Sequence, residues 1–275
     1  MKVAFQGICG AYSEMALHEH FGKTVETVGC DSFDEVFDRV IRDEVLYGFI
    51  PVENTIAGTV VENYDLLFAN DVFVIAEVYL PVRHTLLARK GARIEAIREA
   101  FSHPHALKQC RAYLKSQSIR PVPTYDTAGA AQTVAAGDRM DCAAIASELC
   151  AEIYDMEILE RNIQTNSSNT TRFFVIAKKE NAPEGQETGK TTVAFKTRHY
   201  PGALVDCLKI FQKYNLNLTK LESRPIPENP WEYVFYAAFE AGIDADEAKS
   251  AIGELTLHAV FVKLLGSYPK AEKCW

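Results

Sequence analysis

The sequence predicts an α/β protein: a two-lobed N-terminal unit followed by a small βαββαβ unit. Three observations carry that expectation. Short apolar, β-branched runs alternate with helical stretches from Val3 to Tyr154, the grammar of an open α/β sheet. The alternation breaks between Val72 and Lys90, where two strand-like runs flank Pro81-Val82 with no helix between them. Beyond a polar stretch containing Gly and Pro, Ala182–Gly189, the order becomes βαββαβ between Thr191 and Pro269.

Composition narrows the function classes. The 275 residues are 48% hydrophobic and 24% charged, enough to build about two domains without disulfides or metals. The net charge of −8, with no basic cluster, argues against nucleic acid and anionic membranes as partners. Cys9, Cys30, Cys110, Cys142, Cys150, Cys207 and Cys274 are scattered and never form CxxC. That pattern suits reduced thiols in a cytoplasmic protein better than a disulfide framework or a metal site. Met1–Phe5 reads as a strand rather than a leader, and no apolar run approaches the ~18 residues of a membrane span.

Val3–Phe5 is a short buried strand, followed by a loop holding Gly7 and Gly10. Ser13 then stands as an N-cap ahead of Met15, Ala16 and Phe21 at helical spacing. This loop is either a plain tight turn or an anion site at a helix start. Ser32 and Glu35 form a capping box before Val36, Phe37, Val40 and Ile41. Tyr47–Pro51 is a strand that empties into Glu53, Asn54 and Thr55, and Gly58-Thr59 opens a helix through Leu67. Ligands of such sheets sit outside the carboxyl ends of the strands, so Ser13, Glu53, Asn54 and Thr55 converge on one site. The bland alternative makes Glu53 a solvated carboxylate and Asn54 a turn residue.

The second lobe repeats the pattern. Ala100–Ser102, Val122–Tyr125 and Ala143–Ala146 are strands, with helices started by Ser102-His103-Pro104, Asp126-Thr127 and Ser147. His103 and His105, two apart, do not make a metal pair. Ser102 and Thr127 are candidate cleft linings. The polar run Thr165–Thr170 then feeds Thr171-Arg172-Phe173 and a strand to Lys178, which returns to the first lobe. The bounds are therefore 1–180 for the two-lobed unit (lobe 1 about 1–79 and 165–180, lobe 2 about 80–164), 181–190 for a linker and 191–269 for a separately cored C-terminal unit.

Four motifs in this order resemble prephenate dehydratase across almost the whole chain. They are Gly7-x-x-Gly10-x-Tyr12-Ser13-Glu14, Pro51-Val-Glu-Asn54-Thr55-x-x-Gly58, Ser102-His-Pro-His-Ala-Leu-x-Gln109-Cys110 and Asn169-x-Thr171-Arg172-Phe173. Gly202-Ala-Leu-Val205, Leu221-Glu-Ser-Arg-Pro225 and Leu265-Gly-Ser-Tyr-Pro269 look like an ACT regulatory domain of the phenylalanine-sensing kind. Two positions depart from the family pattern. Ile8 follows the first glycine where proline is usual, and His105 replaces a common glutamine. The resemblance implies a type II periplasmic-binding-protein-like catalytic fold joined to a ferredoxin-like ACT domain, in a monofunctional, cofactor-free and metal-free enzyme.

That enzyme would take prephenate to phenylpyruvate with loss of CO2 and water, under feedback from L-phenylalanine. The resemblance gives Thr171 as the catalytic donor to the departing oxygen, refilled by Glu53 or a water. It places the substrate against Arg172, Phe173, Asn169, Ser13, Glu53, Asn54 and Thr55. Adjacent strand residues point to opposite faces, so Thr171 and Arg172 reach one ligand only if the strand is irregular there. Phenylalanine would bind between two chains of a homodimer or homotetramer, on Gly202, Ala203, Leu204, Val205, Glu222, Ser223, Arg224 and Pro225. A pure dimerisation role for this unit is the alternative. For the whole chain the alternatives are arogenate dehydratase and a non-catalytic two-lobed amino-acid sensor.

Overall fold

The computed structural model describes residues 1–183, 188–226 and 229–271. Lobe 1 is built from β1 (Lys2–Gln6), α1 (Tyr12–Phe21), β2 (Glu26–Cys30), α2 (Phe33–Ile41), β3 (Tyr47–Asn54), β4 (Gly58–Thr59), α3 (Val61–Ala69) and β5 (Phe73–Pro81). Lobe 2 follows as β6 (Thr85–Ala88), β7 (Glu99–Ser102), α4 (Pro104–Gln109), α5 (Arg111–Ser116), β8 (Arg120–Pro123), α6 (Thr127–Ala136), β9 (Cys142–Ala146), α7 (Leu149–Ile153) and β10 (Glu157–Glu160). Strand β11 (Thr170–Ala177) returns to lobe 1, antiparallel between β3 and β5. The C-terminal unit is β12 (Lys190–Thr197), α8 (Ala203–Lys213), β13 (Leu218–Ile226), β14 (Asn229–Phe239), α9 (Asp246–His258) and β15 (Ala259–Tyr268).

Two mixed sheets result. Lobe 2 has the order β10-β6-β9-β7-β8. The other runs β13-β14-β12-β15-β5-β11-β3-β1-β2, with β4 on β3, so it passes without a break from the C-terminal unit into lobe 1. The join is β15 beside β5, with Gly266 opposite Val74. A Cβ at Gly266 would stand 2.2 Å from the Val74 carbonyl oxygen, so only glycine allows this approach.

The C-terminal unit is consequently not separately cored. Phe195, Phe211, Phe239 and Leu255 fill a cluster of its own under α8 and α9. On the opposite face Ala194, Val234, Tyr236, Leu265 and Tyr268 pack into one cluster with Val36, Tyr64, Phe174 and Ile176 of lobe 1. Strands buried on both faces read as continuous apolar runs, and β12 is buried from Lys190 to Phe195.

Local expectations meet their competitors at several points. Ser32 caps α2, its Oγ accepting from Glu35 N at 3.2 Å, while the Glu35 carboxylate accepts from Asp31 N at 2.8 Å rather than from Ser32. Ser13 is not an N-cap: Ala11 holds that place, and Ser13 lies in the first turn of α1. Gly58-Thr59 pairs with β3 instead of opening a helix. Ser147 caps nothing either; its hydroxyl donates to Gly10 O at 2.5 Å across the lobes. Ser102 is fully buried and donates to Ile145 O at 2.5 Å, which removes it from the cleft.

Candidate active site

The pairing of β3 with β11 decides what faces what. Thr171 lies opposite Asn54, and Arg172 lies opposite Glu53. Residues directly opposite in a ladder share a face, so these four divide into two pairs on opposite sides of the sheet. The register then slips, placing Phe173 opposite Pro51.

Thr171 and Asn54 face a cleft of about 370 Å³ between the lobes, together with Phe173, Asn169 and Ser13. Asn54 is the keystone. Its Oδ1 accepts from the backbone N–H groups of Ile56 and Ala57, each at 2.9 Å, which fixes the amide's orientation. Its Nδ2 therefore donates to Asn169 Oδ1 at 2.8 Å and to Thr171 Oγ1 at 2.9 Å. With that oxygen accepting from Asn54, the Thr171 proton is left to donate into the cleft.

The same logic runs onward. Asn169 Nδ2 donates to Gln109 Oε1 at 3.0 Å, and His84 Nε2 lies 2.6 Å from that oxygen. A carbonyl oxygen only accepts, so His84 carries a proton on Nε2, and its Nδ1 lies 2.7 Å from the Tyr12 hydroxyl, which also donates to the Arg83 carbonyl at 3.0 Å. Burial holds the imidazole below its ordinary pKa, partly offset by the bond to Gln109. The residue sits where the chain crosses between lobes. Its backbone N–H donates to Gln164 Oε1 at 2.8 Å, and its carbonyl accepts from Ile163 N at 3.1 Å. One chain of hydrogen bonds thus links α1, the outgoing crossing, α4, the returning crossing and the ends of β3 and β11.

Of the residues expected at the substrate, Thr171, Phe173, Asn169, Asn54 and Ser13 line this cleft. Phe173 is an apolar wall held by stacking on Phe49, with centroids 5.0 Å apart. Arg172, Glu53 and Thr55 do not line it. Arg172 is 4% exposed and turned to the opposite face, with Nε 2.8 Å from Glu77 Oε2 and Nη2 donating to the Tyr268 hydroxyl at 3.1 Å. Burial opposes its charge, but Tyr268, Tyr64 and Glu77 around it keep the guanidinium pKa above its ordinary value. Glu53 is on that face too, 3.2 Å from Lys220 Nζ, so it cannot refill the Thr171 proton. Thr55 spends its hydroxyl on the preceding loop, donating to Ser168 O and accepting from Thr170 N. The anion site expected around Gly10 is filled by the chain's own Glu14, which accepts from Gly10 N at 2.6 Å.

Sequence reasoning missed Tyr12, His84 and Gln109 as members of the site. Tyr12 and Gln109 stood inside quoted motifs. His84 carried no signal beyond its place two residues after Pro81-Val82. His103, His105, Asp126 and Thr127 complete the lobe 2 wall. His103 also caps α4, its Nδ1 accepting from His105 N at 3.2 Å.

In the C-terminal unit Gly202, Ala203, Leu204 and Val205 line a separate cavity of about 510 Å³ at the start of α8, where Gly202 adopts φ +93°. Glu222 and Arg224 do not join it. They face lobe 1: Glu222 accepts from the Thr59 hydroxyl at 2.7 Å, and Arg224 Nε donates to Asp65 at 2.9 Å. Ser223 and Pro225, alternating with them on β13, are exposed.

The family model described as prephenate dehydratase matches residues 3–181. A curated relative, arogenate dehydratase/prephenate dehydratase 2 of Arabidopsis thaliana, is 38% identical over 98% of this chain and 73% of its own length. Among solved structures, prephenate dehydratase from Arthrobacter aurescens in complex with L-Phe superposes with TM-score 0.90 at 27% identity, covering 98% of this chain and 90% of that one. A structure titled GqqA, a novel type of quorum quenching acylase, gives TM-score 0.91 at 30% identity and 98% coverage of both chains.

Proposed function

The chain belongs to the prephenate dehydratase family, and we propose that it carries out the decarboxylating dehydration of a cyclohexadiene skeleton, on prephenate to give phenylpyruvate or on its amino analogue arogenate. One observation carries the reading: the Thr171 hydroxyl lines the cleft and accepts from Asn54, which leaves its own proton free to donate there. In the elimination the electron pair of the C–CO2 bond enters the ring as the ring C–O bond breaks, giving CO2, hydroxide and the aromatic product. Hydroxide is the poor leaving group, and a preorganised donor aimed at that oxygen stabilises the charge as it develops. Thr171 is that donor. Because Asn54 is an amide and Glu53 lies behind the sheet, neither of these neighbours returns a proton to Thr171, which acts as a positioned hydrogen bond.

The ring carboxylate must leave uncharged. Phe173 and Pro51 offer it an apolar wall, which suits loss of CO2 better than an ion pair. Arogenate, the amino analogue, undergoes the same elimination to give phenylalanine directly, and the printed name of the Arabidopsis relative joins both substrates. An acylase reading is less well served. A hydroxyl nucleophile needs an adjacent base. Thr171 Oγ1 is bonded to an amide, and both ring nitrogens of His84 are engaged elsewhere.

L-phenylalanine is proposed as the allosteric inhibitor, bound between two chains at Gly202–Val205, with the exposed Ser223 and Pro225 facing it. The Arthrobacter structure titled as a complex with L-Phe supports this reading. A homodimer or homotetramer in the cytoplasm remains part of the proposal. The test is to incubate the purified protein with prephenate, arogenate and an N-acyl amine, with and without phenylalanine. Aromatic product from either cyclohexadiene, suppressed by phenylalanine, is expected; acyl hydrolysis without aromatic product would overturn the reading.

A further inference from the structure

The cleft must receive an anion, yet among the described residues neither lysine nor arginine lines it. The guanidinium nearest in sequence, Arg172, is turned to the back of the sheet and paired with Glu77. Burial holds the His84 imidazole below its ordinary pKa, partly offset by Gln109, and burial with the neighbouring His105 lowers that of His103 against an opposing pull from Asp126. The one carboxylate on the described wall is Asp126, which also lines an adjoining cavity beside a second carboxylate, Asp31.

Half of Asp126 has a structural role. Its Oδ1 accepts from Gly129 N at 2.5 Å and caps α6, while Oδ2 has no hydrogen-bond partner among the described residues. Capping does not need the charge, since Asn and Ser cap a helix as well as Asp. What the charge adds is a negative field in a cleft whose substrate already carries carboxylates. A keto acid with two carboxylates is repelled; the same skeleton bearing an ammonium has one group that this carboxylate attracts.

We propose that Asp126 is the specificity residue of the cleft, its carboxylate receiving the side-chain ammonium of arogenate and disfavouring the keto acid prephenate. This rests on the dehydratase reading and decides between its two substrates. The carboxylates are then met by neutral donors, among them the Nε2–H of His103, whose Nδ1 is occupied by His105 N.

The experiment compares kcat/KM for arogenate and prephenate in the wild-type protein and in Asp126→Asn and Asp126→Ser, both of which keep an acceptor for Gly129 N. The wild type is expected to favour arogenate. In both variants the arogenate-to-prephenate ratio should fall about tenfold or more. The fall should come through a higher KM for arogenate, and kcat/KM for prephenate should rise as a repulsion is removed. A wild-type protein that prefers prephenate, or a ratio that stays put in both variants, overturns the proposal. If the wild type consumes neither substrate, the dehydratase reading itself has failed.

Discussion

Two faces of one strand pair behave as different materials. On the cleft face of β3 and β11, Thr171 and Asn54 sit in a neutral network of amides, hydroxyls and one uncharged imidazole. On the back face, one residue away along each strand, Arg172 and Glu53 enter a network of charges. There Glu77, whose side chain is 1% exposed, is shared by Arg172 at 2.8 Å and Lys190 at 2.9 Å. Tyr268 joins Arg172 to Thr192, and Phe174 lies under the guanidinium at 4.8 Å. Lys190, Thr192, Lys220 and Tyr268 all come from the C-terminal unit.

The neutral face can place a proton donor without paying for a counter-ion. The charged face tolerates burial only because each ion is paired, and the pairing fixes how the C-terminal unit sits on lobe 1. A strand's period of two separates these tasks across a single peptide bond. The Thr-Arg step therefore joins the cleft on one face to the C-terminal unit on the other.

Substitutions on the two faces should fail in different ways. Thr171→Ala is expected to lower kcat by about 10²–10³ with little change in stability or substrate affinity, the size seen when one preorganised donor is removed. Steady-state kinetics with thermal melting checks both halves, and Thr171→Ser should recover much of the loss. Arg172→Ala should instead cost about 3–5 kcal/mol in stability, because the ion pairs behind the sheet lose a member. Urea unfolding followed separately in the two units would show it, and a stable variant with raised KM would mean that Arg172 grips substrate after all.

Asn54→Ala should cost kcat roughly 10- to 100-fold with KM nearly unchanged, since Thr171 stays but loses the bond that aims its proton. A smaller effect concerns His84. Its folded-state pKa is lowered by burial, so the neutral form is favoured on folding and the unfolded chain binds more protons in acid. Its contribution is complete above the unfolded value of about 6.5 and is lost as pH falls below it. Melting temperature between about pH 7.5 and pH 5 should drop more steeply for the wild type than for His84→Gln.

The sequence made the Thr171 end of this picture readable. A polar run entering a β-branched strand, and the motif around Asn169, Thr171 and Phe173, marked the residues that do line the cleft. Strand alternation already warned that Thr171 and Arg172 diverge. It could not show what waited behind the sheet, because Glu77, Lys190 and Tyr268 come from distant segments and meet only once β15 lies beside β5. Glu53 was misplaced for want of the register, which puts Asn54 rather than Glu53 opposite Thr171. The six C-terminal elements were legible from periodicity, but the second buried face of their sheet was not. Its partners are side chains of α2, α3 and β11.

The measurement that bears most directly on this division of labour is the crystal structure of the Thr171→Ala protein with its cyclohexadiene substrate bound. The account predicts the substrate between the lobes, its ring hydroxyl beside position 171 and Asn54, and Arg172 still paired with Glu77 and Tyr268. Substrate lodged behind β3 and β11, or an Arg172 side chain swung round to a substrate carboxylate, would contradict it.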